Sequence, residues 1–514
     1  MVRMRYDVII VGAGSAGCVL AARLSEDPKR SVLLLEAGPD YPDLERLPND
    51  LRYADSPMAY VPGAPHNWSF MGTATHEQRQ PMEVARGRVV GGSSAINGQI
   101  FLRGAPEDFD SWAQWGNQEW AFLKVLPYFR KLETDMDAGG DFHGSDGPIP
   151  VRRDGRRVWP QFQEAFRQAC AEAGFPRDPD MNSPEATGLG VIPENVDKGI
   201  RMSTALTYIN PIRHRPNLTV RAGVLATRLL FSGRRATGVE AESGGERFRV
   251  EGGEIILAAG AIGSPQFLML SGVGPAEHLR GLGISTVNDL PGVGQNLRDH
   301  PWAPVQWHLK AGFKGEPEVR VALRYTATGS SHRNDMQVLP SSTTATTEGD
   351  PMSGEGAGLN VALYVAASAG ELRLQSTDPR VQPRLEFLYL SDPWDRKRMR
   401  EGVNLCLMLG EHEAYGSILG KRIAPSDKEL SSDNALDAWL LRNVGTAQHI
   451  SGTCKMGPHS DPGAVVDQYC RVHGLEALRV VDASIMPDLV RANTNATVIM
   501  MGERAAELIK EDAG

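Results

Sequence analysis

The chain has 514 residues, more than one hydrophobic core normally spans, which predicts two large domains or about three smaller units. Its hydrophobic content of 41% and charged content of 23% are typical of an ordinary soluble globular protein. The net charge of −9 argues against binding to nucleic acid or to an anionic membrane surface.

The cysteines and the N-terminus bear on the compartment. The five cysteines are scattered, odd in number and without C-x-x-C spacing, so we expect neither a disulfide framework nor a metal site. The N-terminal MVRMR and the apolar stretch after it mimic a signal peptide, but Asp7 and several glycines interrupt that stretch. We therefore expect no cleavable signal, no membrane span and a cytoplasmic location.

The first predicted strand is the apolar run Val8–Val11, as in a parallel strand buried on both faces. Gly12, Gly14 and Gly17 follow it in the pattern G-x-G-x-x-G, and Cys18–Leu24 has helical composition. The first glycine permits a tight turn, the second lets a pyrophosphate approach, and the third lets helix and strand pack closely. This order predicts a dinucleotide site.

The residues around this turn extend the predicted site. Ser15 and Ala16 lie in the turn before the predicted helix, whose free N–H groups and positive dipole end face phosphates. A second apolar run, Val32–Leu35, ends at Glu36 and Ala37. A carboxylate about 20 residues after the glycines accepts hydrogen bonds from an adenosine ribose. The pattern does not distinguish NAD from FAD, because both contain the same ADP half.

The next part of the chain is predicted to be mostly loop. Residues 37–85 are rich in Pro, Asp, Asn and Gly and indicate a long surface excursion. Within it, Asn67–Phe70 is an aromatic island, for which packing is favoured over ligand contact. Residues 87–98 are dense in glycine and serine, so their backbone can contact a ligand closely and form an anion nest. The aromatic-rich stretch 108–132 is predicted to be partly helical.

A second α/β pattern between residues 200 and 310 indicates that the cofactor domain is not contiguous. Its predicted elements are the strands Asn217–Val220, Ala226–Phe231, Gly238–Ala241 and Glu254–Ala261 and the helix Ser264–Leu270.

Residues 310–360 have the weakest pattern, and we expect either a mobile loop that gates a site or disorder. Residues 361–440 are predicted to form a separate antiparallel region. Its elements are the strands Leu372–Leu374 and Arg384–Tyr389 and the helix Pro393–Leu409.

Two clusters near the C-terminus are candidates for chemistry. They are Ala447–Gly457 and Asp482–Pro487, and the second is followed by Arg491–Thr497 and a helix to about Lys510. Asn and Thr at the start of that helix are good N-caps, and the positive end of the helix would face a site there. A histidine is the natural base for an alcohol proton, but twelve histidines compete for that role.

Over essentially its whole length, the chain resembles the glucose–methanol–choline (GMC) family of FAD-dependent oxidoreductases. The N-terminal motif through Glu36 is similar to the FAD-binding start of that family. Gly87–Asp110 is similar to its first signature. Gly260–Gly274 is similar to its second signature, with Phe267 where an aliphatic residue is usual. Val293–Pro301 is also similar to a family segment.

The resemblance implies the catalytic residues. A His followed by x-x-Gly-Thr is the catalytic histidine of the family, which corresponds to His449. A second His or Asn pairs with it, and the spacing to the final helix favours Asn495 over Asn493. The implied reaction is oxidation of an alcohol, in which His449 receives the hydroxyl proton and hydride goes to flavin N5.

The resemblance also implies further cofactor contacts. Asn97 and Gly98 would lie by the flavin ring, and Gly91, Gly92 and Ser93 near the pyrophosphate. Asp482 and Ala483 would contact the ribityl or pyrophosphate part, Ala226 the adenine, and Thr497 the same site from the last helix. Some relatives attach FAD through a His in the glycine–serine segment. Ile96 stands at that place here, so we expect non-covalent FAD.

Together these observations predict an α/β protein with a doubly wound, Rossmann-like FAD domain and an α+β substrate domain with an antiparallel sheet. The FAD domain is predicted from residues 1–155, 200–305 and 440–514, and the substrate domain from residues 156–199 and 306–439. The predicted function is oxidation of a small neutral or aromatic primary alcohol with O2 as acceptor. The first alternative is dehydrogenation of choline or another polar alcohol with a quinone- or dye-type acceptor.

Two other classes of function are also considered. One is an NAD-linked reductase that uses the same N-terminal motif, which the C-terminal His and Asn clusters argue against. The other is a non-redox member of the family, such as a lyase. The sequence leaves the alcohol, the acceptor and the oligomeric state open.

Overall fold

The protein is described by a computed structural model over residues 5–53, 57–153, 159–313, 321–342 and 356–513. It is a mixed α/β fold in which two large sheets, called here the first and the second sheet, carry most of the strands. Apolar side chains from both sheets and from the helices between them belong to one continuous buried core. The predicted mixed α/β fold is therefore confirmed.

The first sheet has seven strands and forms around the buried apolar runs seen in the sequence. Arg5–Val11 and its two neighbours in the sheet run parallel, and two further strands continue antiparallel at one edge. In spatial order the strands are Leu218–Arg221, Val32–Leu35, Arg5–Val11, Glu246–Leu257, Arg235–Ser243 and Leu225–Ser232, and Leu478–Val480 pairs beside Glu246–Leu257.

Ten α-helices lie in the described part of the chain. The predicted helix after the first strand is confirmed, but it begins three residues earlier than expected, at Ser15. It packs against the last helix, and the two helices start close to each other. In chain order the helices are α1 Ser15–Leu24, α2 Asn49–Arg52, α3 Pro106–Gln114, α4 Phe122–Leu132, α5 Gln161–Glu172, α6 Gly260–Leu270, α7 Ala276–Gly281, α8 Pro393–Gly410, α9 Asp433–Asn443 and α10 Thr494–Ala513.

The second sheet has eight strands and is antiparallel except for one short edge pair. Its long strand Pro301–Leu309 pairs at its start with Gly445–Thr446, which brings the segment before Pro301 beside the C-terminal cluster Ala447–Gly457. In spatial order the other strands are Leu419–Ala424, then, beyond Pro301–Leu309, Ala357–Leu363, Met336–Ser341, Val321–Tyr325, Gly188–Val191 and Arg177–Asp178.

The prediction of a loop or disorder over 310–360 is wrong for the described residues, because three central strands of the second sheet lie there. Buried polar side chains such as Arg324, Gln337 and Asn360 interrupt the apolar pattern of these strands. Residues 314–320 and 343–355, which include most of the Ser/Thr run, lie outside the described part of the chain.

The excursion over 37–85 contains more structure than expected. Helix α2 and a short hairpin lie in it, and Leu51 and Val84 are buried. The remaining short pairings are Phe70–Gly72 with Met82–Val84, Ile149–Arg153 with Glu133–Asp135 and Pro193–Glu194, Val196–Asp197 with Ile200–Arg201, Val273–Gly274 with Asn288–Asp289, and Glu371–Arg373 with Arg384–Glu386.

Two further predictions concern the chain as a whole. All five cysteines are unpaired and buried, so the expectation of no disulfide framework is confirmed. No helix in the described ranges combines the length and the apolar character needed to cross a membrane. The two-domain boundaries remain a prediction, and the boundary at 305 falls within the strand Pro301–Leu309.

Candidate active site

A cavity of about 820 Å3 lies where the C-terminal ends of the first sheet's parallel strands meet one face of the second sheet. Most of the predicted cofactor residues line it, whereas Gly17, Gly91 and Thr497 are packed behind its walls. The lining members of that set are Gly12, Gly14, Ser15, Ala16, Glu36, Ala37, Gly92, Ser93, Asn97, Gly98, Ala226, Asp482 and Ala483.

Close packing explains several glycines at one end of the cavity. Gly12 has a φ of 102°, in the left-handed region, and a Cβ there would lie 2.5 Å from the Ala258 carbonyl oxygen. A Cβ on Gly17 would lie 1.9 Å from the carbonyl oxygen of Gly12, and one on Gly92 would lie 2.6 Å from Gly14 Cα. The two glycine-rich segments thus pack directly on each other. Gly14 itself stays open toward the cavity, with a hypothetical Cβ no closer than 3.9 Å to another residue.

Glu36 lies at the end of the second strand and faces the same part of the cavity. One carboxylate oxygen accepts a hydrogen bond from Ala13 N at 3.0 Å, and the other accepts one from Gly38 N at 2.9 Å. Burial raises the pKa of Glu36 to about 7, although these N–H groups favour the ionised form. The carboxyl is therefore held in a fixed orientation with lone pairs left for a diol.

Asp482 ties the last motif of the sequence to the start of α6. Its Oδ2 accepts hydrogen bonds from Gly260 N at 2.9 Å and Ser264 Oγ at 2.6 Å, and its Oδ1 accepts one from Ser484 N at 2.8 Å. Burial raises the pKa of Asp482, and the hydrogen bonds oppose that change. Ala483, the next residue, lines the cavity wall beside it.

Asn495 lies with the glycine loop and not with His449. Its Oδ1 accepts a hydrogen bond from Ser15 Oγ at 2.8 Å, and its Nδ2 is buried without a partner in the protein. This contact joins the N-termini of α1 and α10 at the cavity, where both dipoles present their positive ends. The geometry thus corrects the predicted pairing of Asn495 with His449.

Asn493 takes the position that was predicted for Asn495. Its Nδ2 lies 3.0 Å from Nε2 of His449, and its Oδ1 is buried without a partner in the protein. The reason is geometric. The rotation of about 100° per residue applies only from Thr494 onward, so Asn493 does not belong to the helical face pattern that includes Asn495. Asn493 precedes the first helical residue, and its side chain reaches His449 while that of Asn495 reaches Ser15.

His449 has a second histidine on its other side. Its Nδ1 lies 2.8 Å from Nδ1 of His300, and the two rings are 5.0 Å apart in an edge-to-face arrangement. Asp299 holds both segments in place, because its Oδ1 accepts hydrogen bonds from the main-chain N–H groups of His300 and His449, each at 2.8 Å. The other Asp299 oxygen accepts hydrogen bonds from Tyr389 and Thr446. His300 also stacks on Tyr364, with ring centroids 4.0 Å apart.

The protein keeps both histidines uncharged. Burial lowers the pKa of His449 to about 3, and the positive charge of Arg86 acts in the same direction. Burial and His449 lower the pKa of His300 well below its usual value, while main-chain carbonyls of Val490 and Tyr364 act in the opposite direction. A neutral imidazole has one ring nitrogen free to accept a proton.

The residue before His449 is strained. Gln448 has a φ of 67°, in the left-handed region that is uncommon for a non-glycine residue. Its Oε1 accepts a hydrogen bond from Ala85 N at 3.1 Å, and its carbonyl accepts one from Arg86 Nη2 at 2.9 Å. Arg86 therefore both fixes the turn that presents His449 and contributes the positive charge beside it.

Aromatic and apolar side chains form the wall opposite the glycine loops. Trp68 and Phe70, for which packing was favoured over ligand contact, both line the cavity and stack on each other with centroids 5.9 Å apart. Both roles therefore apply to this pair. The second sheet contributes Trp302, Leu339, Asn360 and Ala362, and Tyr364 follows directly after one of its strands.

Comparison with known proteins agrees with this geometry. Two family models described as GMC oxidoreductase match residues 6–302 and 366–502. The chain belongs to the GMC oxidoreductase family. Mitochondrial choline dehydrogenase of Mus musculus is 39% identical over 542 aligned residues, which cover 98% of this chain and 89% of that protein.

Two solved structures share the fold over almost the full length of this GMC oxidoreductase. Pyridoxine 4-oxidase from Mesorbium loti has a TM-score of 0.91 and 30% identity, with 98% of this chain and 99% of that chain covered. A fungal aryl-alcohol oxidase has a TM-score of 0.85 and 25% identity, with both chains covered completely. The protein is accordingly an FAD-dependent alcohol oxidoreductase.

The cavity residues of this GMC oxidoreductase suit FAD. Gly14 and Gly98 leave open space where a Cβ would otherwise intrude, and Glu36 suits a ribose diol. The joined N-termini of α1 and α10, with the unpaired Asn495 Nδ2, suit the pyrophosphate. Asn97, whose Oδ1 accepts a hydrogen bond from Gln99 N at 3.1 Å, lines the cavity between this end and His449.

Sequence reasoning did not single out His300, Asp299 or Arg86. A signal for the first two was present, because Val293–Pro301 is similar to a family segment and ends with Asp299, His300 and Pro301. No role could be given to them before the pairing of Pro301 with Thr446 placed that segment beside His449.

Proposed function

We propose that this GMC oxidoreductase oxidises a neutral aromatic primary alcohol to the aldehyde, using FAD that is held without a covalent bond. The observation that carries the proposal is the arrangement of His449, whose Nε2 meets Asn493 beside an aromatic cavity and whose Nδ1 meets His300. When bound, the flavin supplies an acceptor for the hydride that leaves the alcohol carbon.

In this proposal His449 is the base and acts through Nε2. The Nδ1–Nδ1 contact of 2.8 Å holds a single proton. The amide Nδ2 of Asn493 can only donate, so Nε2 of His449 accepts from it and the Nδ1–H of His449 donates to Nδ1 of His300, whose own Nε2 is buried without a partner in the protein. Nε2 of His449 then carries the lone pair that accepts the hydroxyl proton, and Asn493 holds the same oxygen.

The low basicity of His449 bears on the timing of proton transfer. A charged imidazole in this place would lie buried beside Arg86. We therefore expect the hydroxyl proton to move to His449 together with loss of the hydride and not before it. A base positioned in this way is worth on the order of 10²–10⁴ in rate.

The charges around the cavity favour a neutral substrate. Its acidic lining residues among those described are Glu36 and Asp482, which both lie at the glycine-loop end. Arg86 lies on the His449 side, and the nearby Asp299 already accepts four hydrogen bonds. A quaternary ammonium group would thus meet no free carboxylate. Trp68, Phe70 and Trp302 instead offer flat apolar surfaces.

Non-covalent FAD and an oxygen acceptor complete the proposal. Ile96 lines the cavity and has no atom that could bond to the flavin. The similarity to a pyridoxine 4-oxidase and an aryl-alcohol oxidase supports O2 as acceptor. The similarity to a choline dehydrogenase supports a second candidate, oxidation of choline or another polar alcohol with a quinone-type acceptor.

The proposal is tested by substitution of His449. In His449→Ala we expect FAD content to stay unchanged and anaerobic flavin reduction by an aromatic alcohol to slow by at least about 10². His459→Ala, an exposed histidine later in the same segment, is the matched control and should reduce at the wild-type rate. Admission of air to the reduced wild-type enzyme then distinguishes an oxidase from a dehydrogenase. An unchanged reduction rate in His449→Ala would remove His449 from the mechanism.

A further inference from the structure

We propose that Asn360 and Gln337 form a distal polar subsite that binds the far end of an elongated aromatic alcohol. The group it takes is uncharged and both donates and accepts hydrogen bonds, as a phenolic hydroxyl does. This inference rests on the proposed function and adds to it the length and the distal chemistry of the substrate.

Asn360 is the member that faces the cavity. It lies on the strand Ala357–Leu363, opposite Leu339 of the neighbouring strand, and both side chains line the cavity wall. The residue is only 5% exposed, and its Oδ1 is buried without a partner in the protein. A buried amide oxygen without a partner is rare in folded proteins and costly, which indicates a partner outside the chain.

Gln337 lies next to Asn360 on the same face of the second sheet. It is two residues before Leu339, and its cross-strand partner is Ala362, which also lines the cavity. Gln337 is 1% exposed, and neither its Oε1 nor its Nε2 has a hydrogen-bond partner in the protein. Asn360 thus offers an unused acceptor at the cavity wall, and the neighbouring Gln337, which does not itself line the cavity, keeps an unused donor and an unused acceptor; together they match a group that can do both.

The distance between this pair and the base sets the length of the substrate. Tyr364 stands four residues after Asn360 and one residue past the end of the strand, which corresponds to about 13 Å of extended chain. The ring of Tyr364 lies 6.3 Å from that of His449. A benzyl alcohol whose hydroxyl meets His449 is too short to reach Asn360. An arylpropenol with a para hydroxyl extends several ångströms further along this face.

The surface between the two ends suits such a spacer. Ala362, Leu339 and Trp302 line the cavity there and offer flat apolar surface without charge. The charged side chain directly across from Gln337 on the sheet is Arg324. Arg324 is already paired with Asp178 at 3.1 Å and with the Met181 carbonyl at 2.6 Å. The subsite therefore favours an uncharged group over a carboxylate.

The test compares cinnamyl alcohol with 4-hydroxycinnamyl alcohol by the second-order rate of anaerobic flavin reduction, which needs no electron acceptor. We expect wild type to prefer the hydroxylated alcohol by about tenfold or more. In Asn360→Leu this preference should disappear, while the rate with cinnamyl alcohol changes less than about threefold. Leu339→Val, on the opposite strand, is the matched control and should change both rates by the same factor.

Gln337→Leu provides a second variant, and binding provides a second readout. Calorimetry measures the affinity for the two product aldehydes. The affinity for 4-hydroxycinnamaldehyde should fall in both Asn360→Leu and Gln337→Leu, whereas the affinity for cinnamaldehyde should stay unchanged in both variants. Equal effects of Asn360→Leu on both alcohols, or no preference in wild type, would overturn the subsite and leave the proposed function standing. Reduction of wild type by neither alcohol, with rapid reduction by choline, would instead overturn the proposed function.

Discussion

Two buried histidine clusters of this protein are similar in burial and opposite in charge. In the acid cluster, His143 lies 3.0 Å from Asp135, 2.8 Å from Asp180 and 3.2 Å from Glu133. In the active site, His449 contacts His300 and Asn493, and no carboxylate oxygen is recorded against its ring among the described residues.

The partners of each ring decide its protonation. Burial alone would lower the pKa of His143, but hydrogen bonds to Asp135, Asp180 and Glu133 raise it to about 10. At His449 burial and the positive charge of Arg86 both lower the pKa, which falls to about 3. The same side chain is therefore a permanent cation in one place and a neutral proton acceptor in the other.

The acid cluster also shows why a group of metal-ligand residues is not by itself a metal site. Ligand atoms of Glu133, Asp135 and His143 lie within 4.8 Å of one another. Arg103 pairs with Glu133, and Arg153 pairs with Asp135 at 2.7 Å and Asp180 at 2.6 Å. Three cations thus balance three carboxylates, and the cluster joins segments of the chain as an ion network.

The first prediction concerns the uncharged histidine cluster of the active site, where we expect the largest change in the rate of flavin reduction. Asn493→Ala should slow anaerobic flavin reduction about ten- to hundredfold, because it removes a hydrogen-bond donor from the reacting oxygen. Asn495→Ala is the matched control. It should leave the reduction rate near that of wild type and weaken FAD retention, because its partner is Ser15. Stopped-flow reduction and FAD content after gel filtration measure the two effects.

The opposite ranking of these variants has a clear meaning. If Asn495→Ala slows reduction more than Asn493→Ala, the pairing expected from the family resemblance holds in solution. The contact between Asn493 and His449 would then be no part of the mechanism.

The second prediction concerns stability and is smaller. His449 has a lowered pKa, so its contribution is fully present above pH 6.5 and is lost as the pH falls below it, by up to about 1.4 kcal/mol per pH unit. His143 has a raised pKa, so its contribution is present below pH 6.5 and is lost as the pH rises toward 10. We expect the free energy of unfolding to depend less on pH between 6.5 and 4.5 in His449→Gln than in wild type. In His143→Gln we expect it to depend less on pH on the alkaline side.

Denaturation midpoints measured across pH 4.5–10 for wild type and both variants check this expectation. If wild type and His449→Gln lose the same stability between pH 6.5 and 4.5, then His449 titrates as an ordinary histidine in the folded protein. The comparison between the two clusters would then fail at the active site.

The N-terminal half of the cofactor site was predictable because its chemistry is local. A buried strand, a glycine turn, a helix and an acidic residue follow one another in sequence, and steric limits at Gly12 and Gly17 leave little choice. Glu36 likewise follows directly from the end of its strand. The local strand, turn and helix around these residues are those that the pattern predicts, and their role toward the cofactor stays a prediction.

The catalytic half depends on contacts between distant segments, which a sequence pattern does not contain. Asn493 and Asn495 are separated by a single residue, and only the start of α10 decides which of them faces His449. His300 is 149 residues from its partner and is placed by pairing within the second sheet. The strands that contain Gln337 and Asn360 were not predicted, because buried polar residues break the apolar pattern on which strand prediction depends.

The most direct test of the account is anaerobic bleaching of the purified yellow enzyme by a panel of aromatic, aliphatic, sugar and choline alcohols. A neutral base in an aromatic cavity without a free carboxylate predicts rapid bleaching by the aromatic alcohols and slow bleaching by choline. Faster bleaching by choline would contradict the proposed substrate class. No bleaching by any alcohol would contradict alcohol oxidation and favour a non-redox reaction at the same site.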